Sequence, residues 1–138
     1  MKIEVEVLVK ADPRVVWDSW NNPSDIKQWN AASDDWHTTS STVDLRVGGR
    51  FTSRMEAKDG SVGFDFGGTF IKVEAPLLLM YRMNDGREVT VQFKETSGGV
   101  LVKEEFDAEM ENNPELQREG WQAILNNFAR HVESKMKK

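Results

Sequence analysis

The chain contains no cysteine. That excludes a disulfide framework, a thiolate zinc site and a cysteine nucleophile, and it suits a reducing compartment. Histidine is scarce as well. His37 and His131 are the only two, far apart in sequence, so neither a metal cluster nor a Ser-His-acid triad has much to build on. No apolar stretch approaches the length of a membrane span, and Met1-Lys2-Ile3-Glu4 opens without the apolar region of a secretion signal. Basic charge is not in excess. The formal net charge is −5, which argues against nucleic acid as a partner. No G-x-S-x-G elbow, P-loop or dinucleotide fingerprint occurs. The expectation is a cytoplasmic protein with no metal, no cofactor and no partnership with nucleic acid or membrane.

What is present is aromatic weight. Thirteen aromatics, five of them Trp, fall in 138 residues, and most of such side chains are expected in a core. The length fits one domain over residues 1–138, long enough to bury roughly two-thirds of its unfolded surface.

Periodicity organises the chain. Ile3, Val5, Val7 and Val9 alternate with polar residues, a strand with one buried face. Asp12-Pro13 reads as a cap followed by the first helical residue, with Val16, Trp17 and Trp20 as an apolar stripe. Asn22-Pro23 ends that helix and starts a second, which turns Ile26 and Trp29 inward. Residues 34–109 read as six or seven strands. Gly48-Gly49 marks a hairpin between Val43–Val47 and Arg50–Ala57. Asp59-Gly60, Asp85-Gly86 and Ser97-Gly98-Gly99 mark three more turns. Gly67-Gly68, inside a strand pattern, predicts a bulge or a close backbone approach. Asn113-Pro114-Glu115 opens the last helix. Trp121, Ile124, Leu125, Phe128 and Val132 share one face of it, and Lys135, Lys137 and Lys138 suit its negative end. The pattern predicts an α+β fold: one curved antiparallel sheet, a long C-terminal helix laid across it, and two short helices after the first strand. A helix gripped by a strongly curved sheet cannot fill all the space between them, so a ligand cavity is expected there.

Several runs carry a family resemblance. Ala11-Asp12-Pro13-Arg14-Val15-Val16-Trp17 followed by Trp29 resembles the opening of the START-like, or SRPBCC, superfamily. Ala32-Ser33-Asp34-Asp35-Trp36-His37, Asp44-Leu45-Arg46-Val47-Gly48-Gly49, Met55-Glu56-Ala57-Lys58-Asp59-Gly60, Asp85-Gly86-Arg87 and Gln117-Arg118-Glu119-Gly120-Trp121 narrow it. They resemble stand-alone homologues of the activator of the ninety-kDa heat-shock protein (Hsp) ATPase, a group also described as polyketide-cyclase-like. The resemblance implies the helix-grip fold and a cavity for an apolar or amphipathic molecule. Fold alone does not fix function.

The candidate site follows from parity. Glu104 shares a strand face with Val100, Val102 and Phe106, so a regular strand places a carboxyl inside the cavity, with a raised pKa unless it is paired. Arg54 alternates with Ser53 and Met55. It either lies on the convex surface or turns inward as the cationic partner of Glu104. Asp65 is expected in solvent. Trp29, Trp36, Phe64, Phe66 and Tyr81 are candidates for the cavity walls, each able instead to be core filler. Gln117, one turn before Trp121, is a pocket hydrogen-bonder or a satisfied core amide. Gly120 makes room either for close packing or for a ligand. Asp34, Asp35 and His37 do not form a convincing metal set, and His131, late on a surface helix, is expected in solvent. Three functions remain open: binding a hydrophobic small molecule, cyclase or aromatase-type catalysis through Glu104, Arg54 or Tyr81, and interaction with a chaperone ATPase. The last is not expected, because the name-giving proteins use an additional domain for it. The sequence leaves room for a homodimer.

Overall fold

A computed structural model describes residues 1–137; the assignment of Lys138 to the end of the last helix lies outside them. The elements run β1 (Lys2–Val9), α1 (Pro13–Asn21), α2 (Pro23–Trp29), β2 (Trp36–Val43), β3 (Arg50–Ala57), β4 (Gly63–Glu74), β5 (Leu78–Met83), β6 (Glu88–Thr96), β7 (Gly99–Asp107) and α3 (Pro114–Met136). All three helices start by one device, an Asx cap followed by proline. The side chains of Asp12, Asn22 and Asn113 accept from the backbone N–H of Arg14, Ser24 and Glu115. Asn22 also closes α1, its own N–H donating to the Asp18 carbonyl.

The seven strands form one antiparallel sheet in the order β1-β7-β6-β5-β4-β3-β2. Strands β2 to β7 meander, while β1 adds beside β7. The first two strands are therefore opposite edges of the sheet, and α1 and α2 join them across the concave face. The helix α3 lies along β1 and covers its free edge. Arg118 Nη1 donates to the Glu4 carbonyl at 2.6 Å, Gln122 Nε2 to the Glu6 carbonyl at 3.0 Å, and Glu133 accepts from Lys10 N–H at 3.0 Å. An otherwise unpaired edge is satisfied by side chains. This is the helix-grip arrangement that the resemblance implies.

Two expectations need correcting, and one left as an alternative is settled. The strand before Gly48-Gly49 is Trp36–Val43, not Val43–Val47. Asp44–Gly49 is a connection, held by Asp44 on Arg46 and by Gly49 N–H on the Arg46 carbonyl, with Gly48 at φ +85°. Gly67-Gly68 is a close approach rather than a bulge. A Cβ there would stand 2.5 Å from the Phe51 carbonyl oxygen and 2.3 Å from that of Arg82. The register slips further on, between Phe70 and Lys72. His131 is not in solvent. The packing of α2 on α3 brings its Nε2 to 2.7 Å from Asp25 Oδ1, which also accepts from Lys135 Nζ at 3.0 Å.

The core centres on the second half of α3. Leu125, Phe128, Ala129 and Val132 are buried against Ile3, Val5, Val9, Val91, Phe93, Val100 and Val102. Trp20 and Trp29 each meet Phe128 edge-on and lie tilted against one another, with ring centroids about 5 Å apart. No helix among the described residues is long and apolar enough to cross a membrane.

Candidate functional site

A cavity of about 520 Å³ opens between the first half of α3, the helix α2 and the concave face of β3 to β5. Its origin lies in the sequence of α3. The second half presents bulky apolar residues that reach the sheet. The first half presents Gly120, and a Cβ built on it meets no atom within 4 Å. The glycine therefore borders open space. Close packing on it is not observed, and the space it borders belongs to the cavity.

The walls are aromatic. Phe51 touches Phe66, Phe70 and Tyr81, with centroids 4.8–5.9 Å apart. Trp121 stacks on Phe106 at 3.9 Å and 10°, and faces Phe66 edge-on at 6.4 Å. Trp29 closes the side towards α2, held by its Nε1 donating to the Ser19 carbonyl at 3.1 Å. Trp36 and Phe64 pair at 5.8 Å on the cavity rim. Phe64 is 48% exposed there and Leu116 63%, an apolar lip open to solvent.

Eight of the nine residues expected in the site line this cavity: Trp29, Trp36, Phe64, Phe66, Tyr81, Glu104, Gln117 and Trp121. Arg54 does not. Its side chain is 40% exposed and pairs with Glu56 at 3.0 Å and Asp65 at 3.6 Å. The reason is pleat parity: Ser53 and Met55 take the buried face of β3, which sends Arg54 to the convex one. Of the two readings of Gln117, the satisfied amide holds. Its Oε1 accepts from Glu109 N–H at 2.9 Å, and its Nε2 donates to the Glu109 and Asn112 carbonyls at 3.3 and 2.8 Å. Its amide fastens the β7–α3 loop and only its stem contributes to the wall.

Glu104 is 4% exposed. Its sheet neighbours are Val5 and Val91. It has no ion-pair or hydrogen-bond partner among the described residues, and burial alone pushes its carboxyl up to about 8. The expected choice between a paired and a neutral Glu104 resolves to neutral. Tyr81 is also buried, and desolvation, reinforced by Glu104, pushes its phenol well above the ordinary range. At neutral pH both groups are uncharged and protonated.

Arg87 is one of the residues that sequence reasoning missed. It lines the cavity just before β6, but its guanidinium is held by Asp85 at 2.8 Å and by the Asp107 carbonyl at 3.4 Å. Nothing periodic marks a turn residue as inward. Phe51 and Ser53 also line the wall, and their alternation with Arg54 could have revealed them. No group of three or more His, Asp or Glu among the described residues is placed to hold a metal.

Residues 10–133 match the family described as activator of Hsp90 ATPase homolog 1-like protein. The solution structure of the AHSA1-like protein of Aeromonas hydrophila is 55% identical, with TM-score 0.93, over all of this chain and 96% of that one. A protein of Cytophaga hutchinsonii is 45% identical, with TM-score 0.84, over 99% of this chain and 94% of its own. One from Nitrosomonas europaea shares the fold at 19% identity, with TM-score 0.82, over 100% and 97%. Among curated proteins none matches the chain.

Proposed function

The chain belongs to the activator of Hsp90 ATPase homolog 1-like family, and from that premise we propose that it is a cytoplasmic protein that holds an apolar or amphipathic small molecule between its sheet and α3. The observation that carries the reading is the cavity itself: about 520 Å³, aromatic on most sides, with an apolar rim open to solvent. Sites of this kind bind small molecules by burying apolar surface and orient them with a few polar groups. Here those groups are Glu104 and Tyr81. Native mass spectrometry of the protein purified from its own host tests the proposal. A small molecule retained in one-to-one ratio is the expected result. No retained mass, together with no binding of a hydrophobic dye, sinks it.

A second reading has one observation in its favour. A buried carboxyl held near 8 can give and take protons close to neutral pH. That suits a cyclase or aromatase acting on a polyketide-like chain, with Glu104 as the acid–base group. Turnover of such a chain that disappears in Glu104→Gln, with fold and ligand binding retained, would favour the enzyme. Binding without turnover leaves the first reading standing.

A further inference from the structure

Two side-chain donors face this cavity without a partner among the described residues. Among the described residues, no fully enclosed side-chain nitrogen or oxygen lacks a hydrogen-bond partner. The side chains of Glu104 and Tyr81 make no hydrogen bond to another described residue. Their oxygens are therefore not sealed in protein; they open onto the cavity that both residues line. In the sheet they are near neighbours. Tyr81 on β5 and Phe106 on β7 both pair with Val89, and Glu104 lies two residues from Phe106 on the same face. One strand separates them across the sheet and two residues along it, about 12 Å between their Cα positions. Both side chains rise from the concave face into the one cavity, and the charge state of Glu104 acts on the phenol.

Resting on the reading of the cavity as a small-molecule site, we propose that it recognises a carbonyl oxygen of its ligand, which accepts hydrogen bonds from the carboxyl of Glu104 and the hydroxyl of Tyr81. The chemistry uses both groups as they stand. A carboxylic acid kept neutral by an apolar site is a strong donor that an ionised one cannot be. A carbonyl brings an acceptor and no proton, so nothing must be ionised or discharged on entry. A cationic ligand would first have to strip the Glu104 proton. An anionic one would look to Arg87, whose guanidinium already serves Asp85 and the Asp107 carbonyl. The aromatic wall of Phe51, Phe66 and Trp121 would cover the rest of the ligand.

The ionisable groups that line the same cavity are Tyr81, Arg87 and Glu109. The elements α1, α2, α3, β2, β3 and β4 contribute only neutral side chains to it. Tyr81 keeps its proton well past the ordinary phenol range. Of the cavity's ionisable groups Glu104 is the carboxyl buried on the sheet wall beside Tyr81, and the pH dependence of recognition is assigned to it.

The test compares acetonaphthone with ethylnaphthalene, which has nearly the same shape and no oxygen. Binding is followed by NMR titration, and the ketone stretch by infrared spectroscopy. At pH 6 the ketone is expected to bind about tenfold tighter, as for hydrogen bonds that find otherwise unused donors. Its advantage should fade as pH rises through about 8, where Glu104 loses its proton. Its stretch should fall in frequency on binding. Tyr81→Phe should remove much of the advantage. Glu104→Gln keeps an N–H donor, so it should keep part of the advantage but lose the pH dependence. Equal affinities, a flat pH profile and an unshifted stretch overturn the donor pair and leave the cavity reading intact. Failure of both probes to bind overturns the cavity reading itself.

Discussion

At the scale of the residue, Glu104 dominates. Folding moves its carboxyl from an ordinary value of 4.5 to about 8. Between those values the folded state holds a proton that the unfolded state has lost. Stability must therefore fall as pH rises through that window, and the full burden of a buried charge is reached above it. Glu104→Gln has the same shape and no titration. It should match wild type near pH 4.5 and become the more stable protein by pH 9. Denaturant midpoints at several pH values check this, and parallel curves would falsify it. Trp121 is a different case. It stacks on Phe106 yet is only half-buried, because its other side faces the cavity. Phe128 is completely buried among Trp20, Trp29 and the sheet. Phe128→Ala should cost about 3–5 kcal/mol, the usual figure for emptying a packed aromatic site. Trp121→Ala should cost roughly half of that, since it enlarges a space that already exists. Chemical denaturation of the two variants ranks them, and the reverse order would show that the first half of α3 is the true core.

At the scale of the element, α3 is one helix with two tasks. Its second half is core and its first half is cavity wall, and Gly120 lies in the wall. Glycine inside a helix loses about 1 kcal/mol against alanine. An added methyl would project into open space. Gly120→Ala should therefore raise the unfolding free energy by about 0.5–1 kcal/mol while it narrows the cavity and weakens hydrophobic probes. Calorimetry and dye titration read the two effects separately. A variant that is destabilised would mean that the helix closes on the sheet. The same helix is tied to α2 through Asp25, which serves both His131 and Lys135. Asp25→Asn keeps an acceptor but removes the charge. It should loosen that end by about 1 kcal/mol and speed amide exchange in α2, which carries the cavity residues Ile26 and Trp29.

At the scale of the whole molecule, the sheet, α2 and α3 enclose a space that the folded protein leaves unfilled. A molecule that binds there and not to the unfolded chain must raise the melting temperature with its concentration. A hydrophobic naphthyl probe is expected to do so. Gly120→Ala should blunt the rise, and Arg54→Ala, on the convex face, should leave it unchanged. A melting temperature that ignores the probe at saturating concentration would argue that the cavity is closed in solution.

The chain alone determined most of what depends on local order, the strand placed at Val43–Val47 excepted. Period-two runs gave the strands, because side chains alternate across a pleat. The pairs Asp12-Pro13, Asn22-Pro23 and Asn113-Pro114 gave three helix starts, because an Asx oxygen and a fixed φ suit only that place. Parity put Glu104 on the inner face, and the observed strand kept that parity. Local order could not decide what meets across the fold. Arg54 and Arg87 are both arginines beside turn-rich strands. Only the pairing of Arg54 with Asp65 on the convex face, and the position of Arg87 between β5 and β6, separated the surface residue from the cavity residue. His131 found Asp25 across more than a hundred residues of chain. Gly120 left two readings in sequence, and the distance from α3 to the sheet removed close packing. The physical reason is common to all three. A cavity is an absence of contact between distant segments, and no local pattern of residues records how far apart two elements come to rest.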